Sequence, residues 1–255
     1  MQNVARYDAI AEWYDGFIGE TGGPRFQKIE WPCLQEILGN LRGKTVLDLA
    51  CGQGFLSRIL ARFGARLVGI DLSSELIARA TTRERAEPLG IVYCRDDAQR
   101  LDSQADDTFD LVVCRYALMD IPDLDAVYRA VRRVLRDQGR FVALITHPCF
   151  YTPRAHAARD DDGAFLHWES DGYFDEGEWW SDNRDGVRGQ VGAIHRTLAT
   201  YVNAGLAAGL VLDGLYEPRP TDDVDDAALA MYRQIPWTLV FAWQKALARN
   251  PPARP

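Results

Sequence analysis

The spacing of apolar positions along this chain switches repeatedly between the period of a strand and that of a helix. Lys44–Leu49 (KTVLDL) is a short apolar run that ends in a glycine loop, and Phe55–Phe63 then places apolar residues at 55, 56, 59, 60 and 63, which is helical spacing. Arg66–Ile70 reads as a second strand closed by Asp71, after which Ser73 or Ser74 is positioned to cap a helix over Glu75–Ala86. Ile91–Cys94 and Phe109–Cys114 read as the third and fourth strands. Leu124–Arg136 is amphipathic and stops at Asp137-Gln138-Gly139, and Arg140–Ile145 is a fifth strand. Apolar strands alternating with helices predict a parallel sheet covered on both faces.

The rhythm breaks between His147 and Ile194. Eight aromatic residues fall in this stretch, and acidic residues outnumber basic ones by ten to four, with no clear helical or strand period. Irregular segments of that length are typically lids or binding insertions. Regular patterning returns with a helix over Leu198–Ala208 and two strands, Leu210–Tyr216 and Trp237–Trp243. The link between those strands, Glu217–Ile235, is acidic and holds prolines, and Asn250–Pro255 reads as a frayed proline-rich tail.

Composition narrows the classes of function. The 255 residues are 47% apolar and 26% charged, ordinary values for a globular protein. With 29 basic and 37 acidic residues the net charge is −8, which argues against nucleic acid or an anionic membrane as partner, since both are polyanionic. Five cysteines without a C-x-x-C pair predict reduced thiols in a cytoplasmic protein. The histidines form no H-x-x-x-H or H-E-x-x-H, so no metal site is expected. The first residues lack the basic and apolar regions of a signal peptide, and no apolar run is long enough to span a membrane. Oligomeric state is not legible.

The strongest local signal is Val46–Gly54, VLDLACGQG, whose core is D-x-x-x-G-x-G at a strand-to-helix turn. Glycines there let backbone approach a ligand, and such turns are where α/β sheets bind ligands. A dinucleotide fingerprint would continue to a third glycine or alanine, but position 57 is serine. Asp48 at the strand end would repel a pyrophosphate and hold an ammonium group, which favours a cofactor with an amino-acid end. Asp71, 17 residues beyond Gly54, is placed to accept from ribose hydroxyls, with a helix cap as the plainer alternative. Asp97-Ala98 follows the third strand, where a carboxylate could meet an adenine amine.

Taken in order, VLDLACGQG, VGIDLS, RDDAQRL, FDLVVCRYALMDIPD and LRDQGRFVALI resemble the class I S-adenosylmethionine-dependent methyltransferases, within which the opening Tyr7–Asp15 looks similar to bacterial enzymes acting on small molecules. The resemblance implies a Rossmann-like α/β fold with a seven-stranded sheet ordered 3-2-1-4-5-7-6 and its last strand antiparallel. It divides the chain into an N-terminal helical cap (1–43), a cofactor-binding core (44–146), an insertion acting as lid (147–194), completion of the sheet (195–249) and the tail. For S-adenosyl-L-methionine it implies contacts from Cys51, Gly52, Gln53 and Gly54 to the methionine part, Asp48 to the amino end, Asp71 and Leu72 to the ribose side, and Asp97 and Ala98 to adenine. Cys114 and Arg115 would lie beside the methionine part, and Tyr7 and Tyr14 would close over the site.

Methyl transfer to a small, aromatic or hydrophobic acceptor is the leading reading. An acidic acceptor group benefits from a base, and His147 and His195 are the candidates, each with a structural role as alternative. Phe150, Trp168, Tyr173, Trp179, Trp180 and Tyr201 are candidate acceptor contacts, with a local mini-core as alternative. Other chemistry on the same cofactor, such as a cyclisation, an NAD-dependent oxidoreductase, and a non-catalytic scaffold are the competing readings.

Overall fold

The computed structural model describes residues 5–163, 165–220 and 227–247. A 3-10 turn, Arg6–Ile10, leads into α1 (Ala11–Ile18), the single turn α2 (Gly23–Arg25), a π-helical turn over Phe26–Glu30 and α3 (Trp31–Leu38). The alternating region follows as β1 (Thr45–Leu49), α4 (Phe55–Arg62), β2 (Arg66–Asp71), α5 (Ser74–Ala86), β3 (Val92–Arg95), β4 (Phe109–Arg115), α6 (Leu124–Val134) and β5 (Leu135–Thr146). Beyond it lie β6 (His156–Arg159), β7 (Phe165–Glu169), β8 (Gly177–Trp179), α7 (Val187–Val191), β9 (Ala193–His195), α8 (Leu198–Ala207), β10 (Leu210–Tyr216) and β11 (Thr238–Lys245), with a 3-10 stretch Ala227–Arg233 before the last strand.

Seven strands form one sheet in the order β10-β11-β5-β4-β1-β2-β3. The five strands β1–β5 pair in parallel, and β11 runs antiparallel between β5 and β10. This is the expected 3-2-1-4-5-7-6 arrangement, with β10 and β11 as the sixth and seventh sheet strands. Alternate side chains serve opposite layers. On β5, Phe141, Ala143 and Ile145 pack under α6 and α8, while Val142 and Leu144 pack with residues of α3 and α4. A strand buried on both faces has no polar side, which is why these segments read as continuous apolar runs.

Helix starts follow the sequence signals. The Ser73 hydroxyl accepts the Leu76 amide at 3.1 Å to open α5, and Asp123 accepts the Ala126 amide at 2.8 Å to open α6. The segment from 147 to 194 has more order than its sequence suggests: β6 and β7 form an antiparallel hairpin, β8 pairs with β9, and α7 lies between them. Its strands are short and its aromatics irregularly spaced, so no period could emerge. The tail 250–255 lies outside the described residues.

Candidate active site

The order of connections reverses at β1, which is flanked by β2 and β4, and open α/β sheets bind ligands at the carboxyl ends beside such a reversal. A cavity lies there, enclosing about 810 Å³ of empty space with the solvent in its open mouth included. Its wall takes Ala50 and Gly52 from the glycine loop, Asp71 and Leu72 from the end of β2, Ala98 after β3, Arg115 and Tyr116 from the end of β4, and Asp120 and Ile121 beyond it. Arg6, Tyr7 and Tyr14 close it from the N-terminal segment, and Val191 from α7.

Two wall residues without glycine's freedom hold left-handed backbone: Ala50 at φ 58° directly after β1 and Tyr116 at φ 54° directly after β4. Such conformations cost about 1–3 kcal/mol and persist where surroundings enforce them. The Tyr116 amide is fixed to the Leu144 carbonyl at 2.8 Å, and the next amide after Ala50, that of Cys51, to Ile70 at 2.8 Å. Gly54, at φ 83°, has the Tyr93 hydroxyl where a Cβ would sit, so only glycine fits that step.

Asp71 is the electrostatic centre of the cavity. One carboxylate oxygen accepts the Gly52 amide and the other the Ser73 amide, each at 2.8 Å. Burial pushes this carboxyl up to about 6 despite those two bonds. Ionised, each oxygen keeps a lone pair for a further donor, so the group suits a vicinal pair of hydroxyls. Tyr14, pushed up to about 12 by burial, stays a neutral phenol on the wall.

Beside the cavity lies a second charged group of residues. The fully buried Glu30 accepts Arg25 Nε on one oxygen at 3.0 Å and Arg115 Nε on the other at 2.9 Å, and the Tyr116 hydroxyl donates to it at 2.9 Å. Burial alone would raise the Glu30 carboxyl, but the Arg115 and Arg25 guanidiniums and the Tyr116 hydroxyl hold it below its ordinary value.

Comparison with known proteins decides the family. The sequence profile of a methyltransferase domain family matches residues 40–166. A solved S-adenosylmethionine-dependent methyltransferase from Mesorhizobium loti superposes with a TM-score of 0.73 and 32% identity, covering 84% of this chain and 97% of that one. The chain belongs to the S-adenosylmethionine-dependent methyltransferases. It is also 33% identical over 151 residues to the ubiquinone biosynthesis O-methyltransferase of Aeromonas salmonicida (strain A449), a match spanning 57% of this chain and 62% of that protein. A ubiquinone biosynthesis O-methyltransferase of Pseudomonas paraeruginosa (strain DSM 24068 / PA7) is 34% identical over 140 residues, 54% of this chain and 59% of that protein. The chain thus spans about three fifths of the length of these curated relatives.

Of the residues expected to touch the methyltransferase cofactor, the structure puts Tyr7, Tyr14, Gly52, Asp71, Leu72, Ala98 and Arg115 on the cavity wall. The others do not line it. Asp48 lies beneath the loop, accepts the Ser57 hydroxyl at 2.6 Å and is pushed up to about 6 by burial. Cys51 and Cys114 are buried thiols that burial pushes upward, and Gln53 and Gly54 are buried where the loop turns into α4. Asp97 turns its carboxylate to the amide and side chain of Gln99 and borders a separate surface groove, while Asp96 stands on the cavity wall.

Neither candidate base, His147 or His195, lines the cavity. His195 bonds the Tyr173 carbonyl through Nε2 at 2.9 Å, so that nitrogen carries its proton and donates. His147 has both nitrogens engaged: Nδ1 accepts the Cys149 amide at 3.3 Å and Nε2 contacts Glu217 at 2.8 Å. Burial holds His147 below its ordinary pKa against the pull of Glu217. With Nδ1 filled by a peptide N–H, no lone pair is left for an acceptor's proton.

The expected acceptor aromatics are likewise away from the wall. Tyr201 is core, packed on Phe241, and Trp179 packs against the same core. The Tyr173 hydroxyl accepts the Leu198 amide, and Trp168 donates to the Phe150 carbonyl at 2.6 Å. Trp180 backs the cavity indirectly, lying under the Arg6 guanidinium at 5.7 Å.

Residues missed from sequence include Tyr116, Asp120, Glu30 and Arg196. The buried Arg196 donates to the carbonyls of Leu118, Ile121 and Pro122 at 2.7–2.9 Å and so shapes the loop that carries Asp120. The stretch Tyr116–Asp123 was legible as a loop after a strand; nothing in its residue types marks which member faces the cavity.

Proposed function

We propose that the protein transfers a methyl group from S-adenosyl-L-methionine to a small aromatic or hydrophobic acceptor. The observation that carries this reading is Asp71, a carboxylate pinned by two backbone amides on the wall of a cavity at the sheet's reversal point. Asp71 would take the ribose hydroxyls, Ala50 and Gly52 the amino-acid part, and Leu72, Ala98 and Ile121 the adenine faces. When bound, the cofactor supplies a sulfonium methyl group, an electrophile that needs no metal.

The chain's own residues bind, orient and exclude water. Holding donor and acceptor in line supplies up to about 7–11 kcal/mol of barrier reduction in favourable cases. Residues 1–43 act as helical cap, 44–146 as the cofactor-binding core, 195–249 as the completion of its sheet and 147–194 as lid; Val191 on the wall and Arg188 bonded to Asp120 support the lid. The net charge of −8 supports an acceptor that is not a nucleic acid. Five free cysteines support a cytoplasmic site of action, and no helix among the described residues is long and apolar enough to cross a membrane.

The test is calorimetric titration with S-adenosylmethionine, S-adenosylhomocysteine and NAD, followed by assay of S-adenosylhomocysteine release with a panel of phenols, catechols and indoles. Binding of the first two ligands with turnover of a panel member supports the reading. Binding of NAD instead overturns it, and cofactor binding with an acceptor consumed but no S-adenosylhomocysteine released points to other chemistry on the same cofactor.

A further inference from the structure

Two guanidiniums, Arg25 and Arg115, share the single carboxylate of Glu30. Arg115 uses both Nε and Nη2 on it, whereas Arg25 gives it only Nε. Among the described residues the terminal nitrogens of Arg25 have no hydrogen-bond acceptor, and the guanidinium lies over two aromatic rings, Trp237 at 4.9 Å and Tyr116 at 5.6 Å. Trp237 in turn meets Tyr151, their ring centroids 3.7 Å apart, and Tyr232 at 5.8 Å. Two polar atoms on these rings, the Tyr151 hydroxyl and the Trp237 indole N–H, are buried without any hydrogen-bond partner.

Orphaned buried donors are uncommon in folded proteins and cost about 1–3 kcal/mol each. Here two of them adjoin the guanidinium of Arg25, whose side chain is 32% exposed and whose terminal N–H groups meet no acceptor among the described residues. Tyr116 joins this group to the cavity, since it lines the cavity and also bonds Glu30. Resting on the methyltransferase reading above, we propose that this group of residues is the acceptor subsite and that it selects flat acceptors bearing a carboxylate, with Arg25, the Tyr151 hydroxyl and the Trp237 N–H as donors to the carboxylate oxygens. A planar guanidinium matches a carboxylate's geometry, and the rings of Trp237 and Tyr151 give an aromatic acceptor apolar faces to pack on.

The test uses the full chain loaded with saturating S-adenosylhomocysteine and titrated by calorimetry with matched pairs: benzoate and benzamide, 4-hydroxybenzoate and 4-hydroxybenzamide, indole-2-carboxylate and indole-2-carboxamide. The expected result is at least one carboxylate binding about tenfold or more tighter than its amide, the scale of a charge-assisted contact. Arg25→Gln abolishes that preference. Tyr151→Phe lowers carboxylate affinity about three- to tenfold with an unchanged melting temperature, because the deleted hydroxyl has no partner to lose. Amides binding as well as carboxylates, no member of any pair binding, or a preference that survives Arg25→Gln would each overturn the proposal. Failure of S-adenosylhomocysteine to bind at all would instead remove the underlying methyltransferase reading.

Discussion

Arg188 donates from Nη1 to one oxygen of Asp120, and the Tyr7 hydroxyl donates to the other at 3.0 Å. One carboxylate on the cavity wall therefore ties together α7 of the insertion, the loop after β4 and the N-terminal segment. Arg6 adds a second tie, to the Val191 carbonyl at 3.2 Å and to Glu178. The two segments that close the cavity are fastened to each other as well as to the core.

Arg188→Ala should loosen the insertion before it unfolds the domain. A hydrogen bond to a charged group contributes about 1.5–3 kcal/mol, and Asp120 would be left with the Tyr7 hydroxyl alone. If local opening admits a protease, cleavage within 160–186 should accelerate about ten- to a hundredfold. Limited proteolysis followed by mass spectrometry reads this directly. An unchanged cleavage rate would mean that other contacts hold the segment.

Cofactor affinity should depend on the ionisation of Asp71. The carboxyl is raised to about 6 by burial, and only the ionised form accepts from two hydroxyls. A ligand that prefers the ionised form must displace a proton below pH 6, so its apparent dissociation constant should rise about tenfold per pH unit there and level off above it. Calorimetry of S-adenosylmethionine between pH 4.5 and 8 measures the slope. Asp71→Asn should bind weakly throughout and lose the slope, and a wild-type affinity that ignores pH would contradict the assignment.

How far the sequence reached depends on the kind of residue. Sheet strands 1, 2 and 4 were legible because burial on both faces forces a largely apolar run. The place of Asp71 on the cavity wall was legible from its position at a strand end, and the helix cap that was its alternative is taken by Ser73. Asp48 shows the limit: position 57 reads in the sequence only as a serine where a dinucleotide fingerprint has a small residue, whereas in the fold the Ser57 hydroxyl donates to the buried Asp48 carboxylate. The Glu30 cluster was invisible for a different reason. Its members, Arg25, Glu30, Arg115, Tyr116 and Trp237, are scattered over most of the chain and meet only because the end of β4, the start of β11 and the N-terminal helices converge.

His147→Gln should test the structural role of that histidine. A lost general base costs about 10²–10⁴ in turnover. If both nitrogens merely hold Cys149 and Glu217 in place, the rate on an acceptor from the panel should stay within about tenfold, the equivalent of about one hydrogen bond. The melting temperature should fall, since a buried ring with two bonds is lost. A turnover loss above a hundredfold at unchanged melting temperature would restore His147 as the base.

Glu30→Gln isolates charge from shape, because glutamine fills the same volume. In the wild type one buried carboxylate faces two guanidiniums, and removing it takes the paired charge from a nearly buried Arg115 and from an Arg25 that is 32% exposed. Breaking a fully buried arrangement from one side costs about 3–5 kcal/mol, and with Arg25 partly screened by water the loss falls toward the lower end or below it. The denaturant midpoint should fall accordingly with the slope unchanged. The double variant Glu30→Gln/Arg25→Gln should recover part of the loss by removing one stranded cation. The pH dependence has a definite sign. The folded carboxyl sits below its ordinary value of 4.5, so its stabilisation is complete above that pH and disappears as pH falls through the folded value. The stability gap between wild type and E30Q should therefore narrow under acid. A gap that widens as pH falls would show that Glu30 is not held as the charged partner of Arg25 and Arg115.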